Sequence, residues 1–137
     1  MKSLDEILKM GDPGRYLYEY AYINGRLEPK WEELLLLLGD LHWIHWYAYC
    51  IISRRWFKAE EIIRKDPEYA YYYARDIIES RWLEAEEIIK KDSTWAYYYA
   101  ANIIGERWLE AEEYIKKDLY WQLYCEHFNV EEYDEIT

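Results

Sequence analysis

Three histidines and two cysteines are the side chains of this 137-residue sequence best suited to metal binding or nucleophilic attack. His42 and His45 are three residues apart, a spacing that would let them share one metal ion on a helix. Tryptophans flank both, and we interpret them as ordinary polar positions of that helix. Cys125 and His127 also lie close together, but no third group follows that could orient the histidine. The sequence therefore predicts no metal site, no cofactor and no catalytic cysteine.

Adjacent glutamates recur three times and are candidates for acid–base catalysis: Glu60-Glu61, Glu86-Glu87 and Glu112-Glu113. Each of these residues is followed four positions later by Lys or Arg, as Glu60 is by Arg64. On a helix this orientation favours surface ion pairs, each worth roughly 0.2–0.5 kcal/mol. We therefore expect structural glutamates and a protein that is not an enzyme.

The glutamate pairs belong to a longer internal repeat. Residues 56–81 and 82–107 are consecutive copies, identical at 16 of 26 aligned positions. One column of aspartates extends the frame in both directions: Asp40, Asp66, Asp92 and Asp118. The copies span approximately 3–26, 27–55, 56–81, 82–107 and 108–130, followed by an acidic tail, 131–137. Such a repeat predicts one continuous domain over residues 1–137.

Each copy has the pattern of two short helices. Trp56, Ala59 and Ile63 form one apolar stripe, and Asp66 with Pro67 is typical of the start of a second helix. Helices of roughly 9 and 13 residues are too short to be stable alone in water, so they must stack. The predicted fold is an all-α solenoid of about five helical hairpins with a 26-residue period.

The repeat is similar to one found in uncharacterised proteins of tailed bacteriophages and some bacteria. The shared pattern is Arg-Trp, a Glu-Ala-Glu stretch and a Tyr-Ala pair. It is present here at Arg55-Trp56, at Arg81-Trp82 with Glu84-Ala85-Glu86, and at Arg107-Trp108 with Glu110-Ala111-Glu112. The resemblance covers roughly residues 15–125. It implies a viral or mobile-element origin, and it implies no catalytic residue.

The arginine before each repeat tryptophan allows two interpretations. Arg55, Arg81 and Arg107 could bind anions along a groove. Because they share the repeat period and adjoin tryptophans expected in the core, we favour bonds to carbonyls or to a glutamate, or stacking on the indole ring.

Aromatic residues recur in two columns on the second helices, three residues apart. Polar residues continue this stripe, which places it at the margin of the core, where Tyr and Trp can bind a partner. The alternative is that these rings fill seams between repeats. The columns are Trp43, Tyr69, Trp95 and Trp121, and Trp46, Tyr72, Tyr98 and Tyr124.

Negative charge dominates the carboxyl-terminal end. The formal net charge is −11, and residues 108–137 hold two lysines against nine carboxylates. Such a cluster can steer a basic partner or simply keep the chain soluble. It makes direct binding of nucleic acid unfavourable. The acids that we assign to the partner surface are Glu126, Glu131, Glu132, Asp134 and Glu135.

These observations favour a non-catalytic, acidic protein–protein interaction module. Its specific form, which depends on the resemblance, is a phage-encoded inhibitor of a host nucleic-acid-binding or defence protein, such as a CRISPR component, through partial mimicry of DNA. We expect a cytoplasmic protein, since the cysteines are far apart and no apolar run is long enough to span a membrane. Two alternatives stay open: a receptor that encloses a nucleotide-like ligand between the aromatic columns, and a structural module that forms homo-oligomers.

Overall fold

The computed structural model describes residues 1–131, which contain ten α-helices and no β-strand. The all-α fold class predicted from the sequence is therefore confirmed. None of the helices in this part of the chain has the length and hydrophobicity that a bilayer span requires. The helices are α1 (Leu4–Leu8), α2 (Pro13–Asn24), α3 (Pro29–Leu38), α4 (Leu41–Trp46), α5 (Phe57–Ile63), α6 (Pro67–Tyr73), α7 (Leu83–Ile89), α8 (Ser93–Tyr99), α9 (Leu109–Ile115) and α10 (Tyr120–Phe128).

The chain divides into two compact units, Met1–Ile63 and Arg64–Thr137. The first unit contains α1 to α5 and the second contains α6 to α10. The division falls inside the copy that spans residues 56–81, where the sequence itself shows no break.

Both units are built from stacked helical hairpins. In the second unit α6 packs against α8 and α8 against α10, while α7 and α9 each lie against the helices that precede and follow them. In the first unit α2 packs against α1, α3 and α4. This is the neighbour-to-neighbour packing that short helices need, since none of them could be stable alone.

Aspartate caps start four of the second helices. The Asp66 side chain accepts a hydrogen bond from the backbone N–H of Tyr69 at 3.0 Å, and Pro67 occupies the first turn of α6, as predicted. Asp12, Asp40 and Asp92 cap α2, α4 and α8 in the same way. Asp118, the last member of the predicted column, does not cap α10, whose N-cap residue is Leu119.

In three of the hairpins the second helix ends in a π-helical segment, which the sequence does not predict. α4, α6 and α8 continue as π-helical segments, Tyr47–Ile52, Ala74–Ile78 and Ala100–Ile104. Each segment stops at a residue in the left-handed conformation: Ser53 at φ 59°, Glu79 at φ 60° and Gly105 at φ 79°.

The predicted apolar stripe of Trp56, Ala59 and Ile63 lies in the core. Ala59 and Ile63 are buried in α5, and Ala70, Tyr73 and Ala74 are fully buried in and after α6. The repeat tryptophans Trp56, Trp82 and Trp108 are no more than 4% exposed.

Candidate protein-binding surface

Arg81, Glu86 and Tyr99 form a hydrogen-bonded triad in the second unit. The guanidinium donates two hydrogen bonds to the Glu86 carboxylate, from Nε at 2.8 Å and from Nη2 at 2.7 Å. The Tyr99 hydroxyl donates to the same carboxylate at 2.7 Å and accepts the backbone N–H of Trp82 at 2.8 Å. The triad ties the turn before α7 to α7 itself and to α8, and we call it an Arg-Glu-Tyr cluster.

The same cluster recurs in both units. In the second unit it joins Arg107, Glu112 and Tyr124, whose hydroxyl accepts the N–H of Trp108. In the first unit it joins Arg26, Glu32 and Tyr47, whose hydroxyl accepts the N–H of Leu27. Arg55 forms the same two-bonded pair with Glu60, at 2.8 and 2.7 Å. The arginine column therefore bonds to glutamates, which is one of the structural interpretations offered by the sequence.

Burial and hydrogen bonding have opposite effects on the pKa of the Glu86 carboxylate. Burial alone would raise the pKa of Glu86, but the hydrogen bonds from Arg81 and Tyr99 outweigh it, and the pKa lies below its ordinary value. Burial and the bond to Glu86 together raise the pKa of Tyr99. The cluster thus holds an ionised glutamate against a neutral phenol, and these groups serve the packing of the hairpins.

The ion pair predicted between Glu86 and Lys90, four residues apart, is wrong, because Lys90 pairs with Glu87 instead. Glu86 and Glu112 turn inward to an arginine that lies five residues earlier, at 2.7 Å in both cases. Glu60, which the spacing pairs with Arg64, likewise bonds to Arg55 at 2.7 Å. The pair predicted between Glu87 and Lys91 is present at 4.0 Å, but the shorter contact of Glu87 is with Lys90, three residues away, at 2.8 Å. The reason is that a buried carboxylate gains more from a two-bonded guanidinium than from an exposed lysine.

Half-buried rings form a continuous ladder along the second helices of the second unit. Neighbouring ring centroids are 5.4, 5.3, 5.6 and 6.0 Å apart in sequence order. The rings both fill the seams between successive helices and keep one edge accessible to solvent. We name this set the aromatic ladder; it comprises Tyr69, Tyr72, Trp95, Tyr98 and Tyr120.

Within the ladder, Tyr72 is held in place by its hydroxyl. It donates to the Glu68 carboxylate at 3.0 Å, and burial together with this bond raises the pKa of Tyr72 to about 12. The phenol therefore stays neutral at physiological pH.

The last copy is shifted by one residue relative to the others. Tyr124, expected at the core margin, is instead fully buried, and its hydroxyl fills the cluster position that Tyr99 occupies one copy earlier. Tyr120, which sequence reasoning missed, takes the ladder position of Trp95 and contacts Tyr97 and Tyr98. The sequence contains a sign of this shift: one residue separates Asp118 from Tyr120, whereas two residues separate Asp92 from Trp95.

The remaining predicted aromatic residues lie in different settings. Trp43 is half-buried in the first unit, 5.3 Å from the Tyr18 ring, and its indole N–H donates to Asp12 at 3.3 Å. Trp46 is 39% exposed. Trp121 is half-buried and stacks on Tyr124 at 5.3 Å, with the Lys116 ammonium 5.2 Å from its ring centre.

Two leucines at equivalent positions of successive copies in the second unit are exposed, and exposed carboxylates lie near them in sequence. Leu83 and Leu109, at the start of α7 and α9, are each 68% exposed. Four exposed glutamates lie beside them in sequence, and none of these forms an ion pair within residues 1–131. We call this set the acidic edge: Glu79, Glu84, Glu106 and Glu110, with Leu83 and Leu109.

The carboxyl-terminal acids are only partly described. Glu126 and Glu131 are exposed. Glu132, Asp134 and Glu135 lie outside the described residues.

The side chains first considered for chemistry do not converge. His42 is exposed while His45 is buried, and Cys125 is buried while His127 is exposed. Among residues 1–131, no three His, Cys, Asp or Glu side chains come together in a way that could hold a metal ion. Comparison with protein-family models, with curated proteins and with solved structures finds no match for the chain.

Proposed function

We propose that this chain is a non-catalytic module that binds another protein, and that the acidic edge is the contact surface. The observation that carries the proposal is the repetition of an exposed leucine beside exposed glutamates at the start of both α7 and α9. Leu83 and Leu109 are large apolar side chains that the fold leaves in water twice at equivalent positions. Apolar groups rimmed by polar ones are typical of interaction surfaces.

The negative charge of the acidic edge favours a partner with a basic surface. The arginines of both clusters in the second unit are neutralised by Glu86 and Glu112, so the glutamates of the acidic edge keep their negative charge. A partner with a basic surface would be attracted at long range and would approach faster at low salt. The leucines would then supply short-range contact area.

The specific form of this proposal is an inhibitor. The phage-type repeat resemblance makes a host nucleic-acid-binding or defence protein in the cytoplasm the first class of partner to test. Mimicry of DNA would be local, because the acids of the edge occur in two copies only.

The test compares two variants with the same change in net charge. Glu106→Gln with Glu110→Gln alters the acidic edge, whereas Glu28→Gln with Glu33→Gln alters exposed glutamates of the first unit. Each variant is immobilised, host lysate is passed over it, and bound proteins are quantified by mass spectrometry at 50 and 300 mM salt.

We expect a set of basic proteins that binds the wild type at low salt, is depleted at least threefold by the edge variant and is retained by the control. Leu109→Ser should then speed dissociation of the purified partner. Equal depletion by both double variants would show that only net charge matters and would contradict the proposal.

A further inference from the structure

A cavity of about 520 Å³ opens in the first unit, where the π-helical segment Tyr47–Ile52 gives way to α5. Ile52, Trp56 and Phe57 supply its apolar wall, and Arg26 borders it from the turn before α3. The volume lies in the range of small-molecule sites, about 300–1,000 Å³. All residues that line it belong to Met1–Ile63, so nothing in this inference rests on the proposed function.

Positive charge dominates the lining, in contrast to the chain as a whole. Of its four cations, Arg26 is neutralised by Glu32 and Arg55 by Glu60. Arg54 and Lys58 are exposed and form no ion pair within residues 1–131. The cavity therefore presents two uncompensated positive charges in a protein of net charge −11.

These two cations are not needed by the repeat. At the position of Arg54 the next two copies hold Ser80 and Glu106. At the position of Lys58 they hold glutamates, and both of those copies still form complete Arg-Glu-Tyr clusters. Because the hairpin forms with serine or glutamate at these positions, its folding does not require a cation at either of them.

Phe57 completes the site. Its ring is 71% exposed at the mouth of the cavity, and the Arg55 guanidinium lies 4.9 Å from the ring centre. The equivalent positions in the next two copies are Leu83 and Leu109. A flat ring beside unpaired cations can contact an aromatic ligand that also carries an anion.

We propose that this cavity binds a small molecule that joins an aromatic ring to a phosphate monoester, of the size of a nucleoside monophosphate. A phosphate monoester carries a charge of about −1.5 to −2 at pH 7, which matches the two uncompensated cations. Arg54 offers a guanidinium fork and Lys58 a mobile ammonium, the two side chains that most often bind phosphate. Phe57 contacts the ring of the ligand.

The test is isothermal titration calorimetry on the full chain, with AMP, adenosine and ribose 5-phosphate as probes. We expect saturable binding of AMP, with adenosine and ribose 5-phosphate each at least tenfold weaker. Equal affinities of AMP and adenosine would overturn the phosphate contact. Equal affinities of AMP and ribose 5-phosphate would overturn the ring contact, and no saturable binding of AMP at millimolar concentrations would overturn the site.

Substitutions to the residues that the next two copies hold at the same positions should weaken AMP binding without affecting folding. Arg54→Ser and Lys58→Glu should each weaken AMP at least tenfold, and Phe57→Leu should abolish the preference for AMP over ribose 5-phosphate. Melting temperatures should stay within about 2 °C of wild type, because the other copies hold these residues. Lys9→Glu, at an exposed lysine outside the cavity, makes the same charge change and should leave AMP binding unaltered. Wild-type affinity in Lys58→Glu would contradict the proposal.

Discussion

At the scale of single residues, the Tyr99 hydroxyl makes two hydrogen bonds inside the core. It is fully buried, donates to an ionised carboxylate and accepts the N–H of Trp82, which lies at the start of α7. A buried N–H without a partner costs about 1–3 kcal/mol, and a hydrogen bond to a charged group contributes about 1.5–3 kcal/mol. One oxygen atom thus bonds to the buried N–H of Trp82 and to the largely buried carboxylate of Glu86.

Tyr99→Phe should therefore destabilise the protein by about 2–4 kcal/mol, since it removes both bonds and leaves the Trp82 N–H unsatisfied. The measurement is the free energy of unfolding from urea titration monitored by circular dichroism. Tyr97→Phe is the matched control, because the Tyr97 hydroxyl makes no hydrogen bond within residues 1–131. Its effect should stay within about 0.5 kcal/mol. Similar losses in the two variants would refute the role assigned to the cluster.

The sequence predicts part of this cluster. The recurring arginine before each tryptophan indicates a structural bond, and a glutamate is among its expected partners. The sequence does not identify which glutamate is the partner. Arg81 lies in a turn and Glu86 in the following helix, so their five-residue separation follows no helical spacing. The tyrosine is 13 residues away from that glutamate, and only the packing of α7 on α8 brings the two together.

At the scale of helices, the ends of the hairpins differ most from expectation. The aspartate caps follow from residue type, since a side-chain acceptor must satisfy the free N–H groups of a first turn. The π-helical endings leave no such mark, because bonds between residues five apart involve the backbone alone. The N–H of Glu79 bonds to the carbonyl of Ala74 at 2.7 Å, and the N–H of Gly105 bonds to that of Ala100 at 2.8 Å.

The residues that end the π-helical segments can be used to test how much the left-handed backbone conformation destabilises the protein. Glu79 and Gly105 occupy equivalent left-handed positions, and this conformation is costly for a residue with a Cβ atom. We expect Glu79→Gly to raise the free energy of unfolding by about 0.5–1 kcal/mol and Gly105→Ala to lower it by about 1 kcal/mol. An added Cβ at Gly105 would meet no atom within 4 Å, so the loss would be purely conformational. Urea titration measures both, and effects of equal sign would contradict this account.

At the scale of the whole chain, the paired and unpaired carboxylates have opposite effects on stability. Those in the clusters are bonded to arginine and stabilise the fold, as Glu86 does through Arg81 and Tyr99. Those of the acidic edge are exposed without ion pairs in the described residues and add to the repulsion within a chain of net charge −11. Composition gives the size of the excess negative charge, but not its location, because the sequence does not show which glutamates the arginines neutralise.

The two kinds of carboxylate should separate in their dependence on pH and salt. The pKa of Glu86 is lowered on folding, so its stabilising effect is present above the ordinary glutamate pKa and is lost as the pH falls through the lowered value. Glu86→Gln should therefore lower the melting temperature most at pH 7, and the difference from wild type should shrink steadily below about pH 4.5. Glu106→Gln, the control, should leave the melting temperature unchanged or slightly raised at 20 mM salt and pH 7. That gain should vanish at 500 mM salt, because screening already weakens repulsion between exposed charges. The measurement is the melting temperature of each variant at pH 3 to 7 and at both salt concentrations. If the melting temperature of Glu86→Gln stays equally far below wild type at pH 3, lost packing and not the ionised pair causes the destabilisation.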